Sequence, residues 1–208
     1  MFRVLVQALA LVASIAVAQA KPMKLVAFGD SLTAGYGVKP GSRFPEVLEK
    51  ALKAKGYDVS VVNAGVSGET AEDGLARFDW SVPADTDALI VELGANDMLR
   101  GMAVEGAKSA LAEILAKATQ RHIATLLTGM RAAPNLGPDY GAAFNRIFPD
   151  LAQHYGVALY PFFLDGVAAD PKLNQQDGLH PNAEGVKVIV ARILPAVEAL
   201  LDKAKAGG

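Results

Sequence analysis

Five short apolar runs, each separated from the next by residues of helical or loop character, restrict this chain to very few folds. The runs cover residues 24–28, 59–62, 88–93, 123–127 and 157–160, lengths that suit buried strands. Between them, residues 44–55 place Phe44, Val47, Leu48, Ala51 and Leu52 on one helical face. Residues 104–121 repeat the pattern at 104, 107, 110, 111, 114, 115 and 118. Thr70 before Ala71-Glu72-Asp73 has the form of a helix cap. Residues 140–155 and 182–203 read as two further helices, which Pro149 and Pro195 are expected to kink or divide. Strands that alternate with helices pack as one parallel sheet covered on both faces, an α/β fold. No repeat, linker or low-complexity segment interrupts the pattern, so residues 21–208 are expected to form a single domain. Periodicity leaves the strand order open.

A parallel sheet brings the loops after its strands to one edge, where ligands of open α/β folds bind. Three such loops carry polar residues: Gly29-Asp30-Ser31 after the first run, Asn63 to Gly68 after the second, and Gly94-Ala95-Asn96-Asp97 after the third. If the first and third strands are neighbours, Ser31 and Asn96 face one cleft. Asp177-Gly178-Leu179-His180-Pro181, just before the last helix, can fold over the same edge. Taken alone, Gly-Asp-Ser is an ordinary turn composition, and Asp-x-x-His could simply cap the final helix.

The first 20 residues stand apart. Arg3 precedes an almost wholly apolar stretch from Val4 to Val17, and Ala18-Gln19-Ala20 has the small-residue form of a cleavage site. This reads as a secretory signal peptide cut after Ala20, too short and interrupted to be a stable membrane anchor. The chain is therefore expected to be exported, to periplasm or medium. The formal net charge is -2; no basic block marks a nucleic-acid partner. With no cysteine, neither a disulfide framework nor a lipid-anchored amino terminus is available, and an exported domain must rely on its core.

The residue types at the shared edge fit one chemistry. A serine hydroxyl needs an adjacent base, histidine titrates near neutrality, and a carboxylate on its second nitrogen fixes the tautomer. Of the three histidines, His122 opens the fourth strand and His154 lies on an amphipathic helix. Only His180 has a carboxylate three residues away in a glycine-containing loop. Backbone N–H groups and the Asn96 amide could then receive an oxyanion.

Gly-Asp-Ser-Leu, Gly-Ala-Asn-Asp and Asp-Gly-Leu-His-Pro, in that order, resemble the blocks of the SGNH (GDSL-type) hydrolases. The longer stretches Gly-Asp-Ser-Leu-Thr-Ala-Gly-Tyr-Gly, Val-Asn-Ala-Gly-Val-Ser-Gly-Glu-Thr and Val-Glu-Leu-Gly-Ala-Asn-Asp-Met-Leu-Arg-Gly are similar to the exported branch of acyl-CoA thioesterase I, lysophospholipase L1 and arylesterase. The resemblance covers about residues 24 to 195. It implies a three-layer sandwich on five parallel strands in flavodoxin-like order. It implies Ser31 as nucleophile, His180 as base and Asp177 as its orienting carboxylate. It also implies an oxyanion hole from the Ser31 N–H, a loop glycine and Asn96. Gly68 is the preferred glycine and Gly65 the second choice. The implied activity is hydrolysis of small to medium acyl esters and thioesters through an acyl-enzyme, without cofactor or metal.

Met98, Leu99 and Met102 could line an acyl pocket or pack in the core. Phe162, Phe163 and Leu164 read mainly as core, with a pocket wall as the alternative. Asp30 and Asp97 are expected to brace their loops, and Ser67 to be a loop residue, since Gly65-Val66-Ser67-Gly68 lacks the nucleophile-elbow spacing. Three other readings stand beside the main one. A carbohydrate O-acetyl esterase would prefer acylated sugars. A flavodoxin-like binding module would not need Asn96 or the Asp177–His180 pair. A metallohydrolase on Asp30, Asp97 and His180 has no ligand spacing to support it.

Overall fold

The computed structural model describes residues 21–207. The expected signal peptide lies outside them. Five strands, β1 (Met23–Gly29), β2 (Val59–Gly65), β3 (Ala88–Glu92), β4 (Ala124–Thr128) and β5 (Ala158–Tyr160), form one sheet. Every pairing is parallel, in the order β2-β1-β3-β4-β5. The two central strands β1 and β3 are buried from Leu25 to Gly29 and from Ala88 to Glu92, as sheets covered on both faces require.

Seven helices connect and flank the strands: α1 (Ser31–Ala34), α2 (Phe44–Ala54), α3 (Ala71–Ser81), α4 (Ala95–Leu99), α5 (Val104–Gln120), α6 (Pro138–Tyr155) and α7 (Ala183–Gly207). α2 and α7 pack together on one side of the sheet, and α3, α5 and α6 form a second packed group. The core runs through Phe28, Phe44, Phe78, Phe144, Phe148 and Phe163, all buried.

Local sequence explains most boundaries. Thr70 caps α3, its hydroxyl accepting from the Asp73 N–H while the Asp73 carboxylate accepts from the Thr70 N–H. Asn182 caps α7, its side-chain oxygen accepting from the N–H groups of Glu184 and Gly185. Asp177 therefore does not cap the last helix. Pro149 and Pro195 lie inside α6 and α7 without dividing them. Each lacks only its own N–H, and the packed apolar face outweighs one absent bond.

Two expectations of irregular chain are corrected. Asn63, Ala64 and Gly65 continue β2, because they pair with Ala27, Phe28 and Gly29. Asn96 and Asp97 sit in the one-turn helix α4, entered through Gly94 at φ 106°.

Candidate active site

β1 leads directly into the site. Asp30 follows the strand and caps α1, its Oδ1 accepting from the Leu32 N–H at 3.0 Å. Ser31 is thus the first residue of a single turn, and its own N–H has no partner inside that turn. β1 and β3 are adjacent and their outer neighbours lie on opposite sides, so the crevice of a doubly wound sheet opens here.

The 175–181 segment folds over this edge as a small closed loop. Asn174 and Pro181 bridge across it, and the Gln175 N–H donates to the His180 carbonyl at 2.8 Å. The Gln175 amide also donates to the Tyr36 carbonyl at 2.7 Å, which ties the loop to the chain after α1. Sequence reasoning gave no role to Gln175.

Within the loop Asp177 does two things. Its Oδ1 accepts from the N–H groups of Leu179 and His180, at 2.9 and 3.0 Å, and its Oδ2 lies 2.7 Å from His180 Nδ1. The His180 N–H, the Leu179 N–H and the imidazole hold the Asp177 carboxyl down to a pKa of about 2. A carboxylate on Nδ1 leaves Nε2 as the accepting nitrogen. Nε2 lies 2.9 Å from Ser31 Oγ. The Tyr36 ring lies 4.7 Å from the imidazole ring, tilted by 42°, and shields one side.

The oxyanion candidates differ in what occupies them. Gly68 lies at φ 86°, a left-handed conformation that costs other residues roughly 1–2 kcal/mol. Its N–H has no acceptor among the described residues, and it borders a recess with Ser31, Tyr36, Asn96 and His180. The Gly65 N–H donates to Asn63 Oδ1 at 3.0 Å and belongs to β2. The Asn96 amide nitrogen donates to Asp30 Oδ2 at 3.1 Å and to the Glu69 carbonyl at 2.9 Å. Both of its hydrogens are engaged before any substrate arrives.

The loop holding Gly68 is anchored from below. Arg77, on the inward face of α3, pairs with Glu69, donates to the Gly29 carbonyl at 3.0 Å and lies 4.3 Å above the Phe28 ring. Its only sequence signal is a cation among apolar positions of an amphipathic helix. Asp97 braces the same region, its carboxylate accepting from the Ala71 N–H at 2.9 Å. Burial raises the Asp97 pKa.

A cavity of about 240 Å³ opens beside Ser31 and His180. Leu32, Met98, Leu99, Met130, Phe162 and Leu164 give it an apolar wall. Met102 is not part of that wall; its carbonyl accepts from the Tyr140 hydroxyl instead. Phe162 and Leu164 move from expected core to pocket, whereas Phe163 is buried against Phe44. A larger hollow, about 390 Å³, lies at the opposite edge of the sheet, between His122, Thr125, Tyr155 and Lys203. His154 sits in the last turn of α6. Among the described residues no cluster of His, Asp or Glu could hold a metal ion.

Residues 27–188 match the family model described as GDSL-like Lipase/Acylhydrolase. The chain is 38% identical to an esterase, TesA, of Pseudomonas aeruginosa over 184 residues, 88% of this chain and 92% of that protein. It is 37% identical over 161 residues to thioesterase 1/protease 1/lysophospholipase L1 of Escherichia coli, 77% of this chain and 76% of that protein. Among solved structures, AlinE4, an SGNH-hydrolase family esterase, superposes with a TM-score of 0.74 at 44% identity, covering 88% of this chain and 98% of that one.

Proposed function

Because this chain belongs to the GDSL-like lipase/acylhydrolase family and is a serine ester hydrolase, we propose that Ser31, His180 and Asp177 are its catalytic triad. The observation that carries the reading is the unbroken line of contacts from Asp177 Oδ2 through the imidazole to Ser31 Oγ, at 2.7 and 2.9 Å. His180 Nε2 takes the Ser31 proton as Oγ attacks the acyl carbon, and Asp177 stabilises the imidazolium that forms. The N–H groups of Ser31 and Gly68 receive the oxyanion, joined by the Asn96 amide once it exchanges one of its present acceptors. His180 then gives its proton to the departing alcohol or thiol. Water, deprotonated by the same nitrogen, releases the acid from Ser31.

The apolar cavity beside Ser31 supports small to medium acyl groups as substrates, as esters or thioesters. An acylated sugar would meet mostly methionine, leucine and phenylalanine there. Residues 1–20 are proposed as a signal peptide removed after Ala20, which places the enzyme in the periplasm or the medium.

One experiment tests both halves. The exported protein is treated with a fluorophosphonate and its intact mass and labelled peptide are read. The expected result is a chain starting at Lys21 that carries one phosphonyl group, on Ser31, with esterase activity lost. Labelling at another residue removes Ser31 as nucleophile, and a retained amino-terminal stretch removes the signal peptide. A panel of aryl esters and acyl thioesters of graded length then defines the acyl preference.

A further inference from the structure

Beneath the nucleophile lies a buried acid that the triad and oxyanion hole do not use. Glu92 ends β3, in register with Gly29 of β1, and has no exposed surface. Its Oε2 accepts from the Thr33 hydroxyl at 2.8 Å and faces the Asp30 N–H at 3.4 Å. Its Oε1 is buried and has no hydrogen-bond partner. A side chain on Gly29 would collide with Thr33 Oγ1 and Glu92 Oε2, at 2.3 and 2.6 Å, so the backbone leaves room for this contact alone.

Asp30, equally buried, is the next link. Its Oδ1 holds the Leu32 N–H and its Oδ2 holds the Asn96 amide. Glu92 therefore touches both ends of the turn that presents Ser31, through Asp30 and through Thr33. We propose that Glu92 is a positioning residue for ester hydrolysis, holding Asp30 and Thr33 so that the Ser31 N–H and the Asn96 amide keep their aim. The proposal rests on the assignment of Ser31 and Asn96 above.

Two buried carboxyls in contact cannot both ionise without a cation between them. The Arg77 guanidinium is engaged by Glu69 and the Gly29 carbonyl. One proton is therefore retained, and the unpartnered Oε1 assigns it to Glu92, because a buried carboxylate needs donors on both oxygens. Desolvation and the Asp30 charge push the Glu92 pKa well up. Asp30 remains the acceptor that Asn96 requires. Glu92 thus acts as a neutral acid, which a glutamine can imitate: its oxygen takes the place of Oε2, facing the Thr33 hydroxyl and the Asp30 N–H, and its NH2 group the place of the protonated Oε1.

The test compares Glu92→Gln, Glu92→Ala and Thr33→Val in aryl ester hydrolysis, with melting curves. In Glu92→Ala, kcat is expected to fall roughly 10–100-fold while KM changes little, because misplaced donors are felt in the transition state. Glu92→Gln is expected to restore most of the turnover. Thr33→Val, which cuts only the tie to α1, should show the same split between kcat and KM in a smaller degree, and it decides the matter if the alanine protein does not fold. A folded Glu92→Ala or Thr33→Val with wild-type kcat overturns the proposal. So does a Glu92→Gln protein as slow as the alanine variant, since that would require a charged Glu92. Ser31→Ala in the same assay separates the two readings: residual turnover there indicts the nucleophile, not Glu92.

Discussion

Asn96, proposed as an oxyanion donor, also holds its surroundings together. Its amide joins Asp30, on the turn after β1, to Glu69, on the loop after β2, and so ties the elements that carry Ser31 and Gly68. To donate to an oxyanion it must share or release one of these acceptors, an adjustment typical of sites whose hydrogen bonds tighten only in the complex. Asn96→Ala should therefore lower turnover roughly 10²–10³-fold, on the order of 3 kcal/mol, as the loss of an oxyanion donor does. It should also lower stability, because Asp30 Oδ2 and the Glu69 carbonyl lose a donor, at about 1–3 kcal/mol. Steady-state kinetics on a short aryl ester with a melting curve check both. A folded variant with wild-type turnover would remove Asn96 from the oxyanion hole. Asp30 and Asn96 were legible in the sequence as loop residues; their contact was not, because 66 positions separate them.

At the scale of elements, the two shortest helices matter most. α1 has four residues and α4 has five. Neither completes two turns, so no hydrophobic period announces them. Both are marked instead by what precedes them, Asp30 as a capping side chain and Gly94 as a left-handed residue. The position of α1 depends on Gly65. A Cβ there would lie 2.2 Å from the Ala34 nitrogen and 2.8 Å from the Ala34 Cα, both backbone atoms that cannot turn aside. Gly65→Ala should push α1 and Ser31 off the end of β2. The expected outcome is a destabilisation of about 1–3 kcal/mol, the range for overpacking, with turnover reduced together with stability. Unfolding by urea and esterase assays measure the two. A variant as stable and active as the parent would show that α1 is not held by this contact. At Gly68 the constraint is different: a Cβ would meet only the far end of Arg100, and the cost of an alanine there is its left-handed backbone at φ 86°.

For the whole molecule, opposite carboxyl shifts set the pH range of stability. Asp177 and Asp85 are held down to about 2, by backbone N–H groups and by Lys21 and Lys24 respectively. A lowered carboxyl stabilises above its unfolded value and loses that contribution as pH falls toward the folded one. Asp85 is fully exposed and its ion pairs are screened, so its share is small. Burial raises Asp30 to about 6 and Glu92 well above the usual range. A raised carboxyl contributes fully below its unfolded value and loses its contribution as pH rises through the folded one. Stability should therefore decline in acid below the ordinary aspartate value of about 3.8 and again as pH climbs through about 6. Melting temperature against pH should show both limbs, and Asp30→Asn, which removes the group that titrates near 6, should flatten the second while leaving the first. A second limb unchanged by that substitution would place its origin elsewhere in the protein.

The sequence by itself determined the strand and helix count of the main elements, the parallel sheet, and the residue types that gather at its carboxyl edge. Those properties are local: a strand or helix face repeats within a few residues, and a loop after a parallel strand has no choice of edge. The motifs also pointed to the proposed triad of Ser31, Asp177 and His180, because the last two lie in one short loop and the first follows a strand. Tertiary structure alone decided what lies around them. Tyr36 against His180, Gln175 across to Tyr36, Arg77 beneath Gly29, and Glu92 beneath Ser31 all join residues far apart in the chain. So does the passage of Phe162 and Leu164 from core to cavity wall, and of Met102 away from it. Periodicity records which face of an element is apolar. Which neighbour covers that face depends on how the strands are ordered and how the helices close over them.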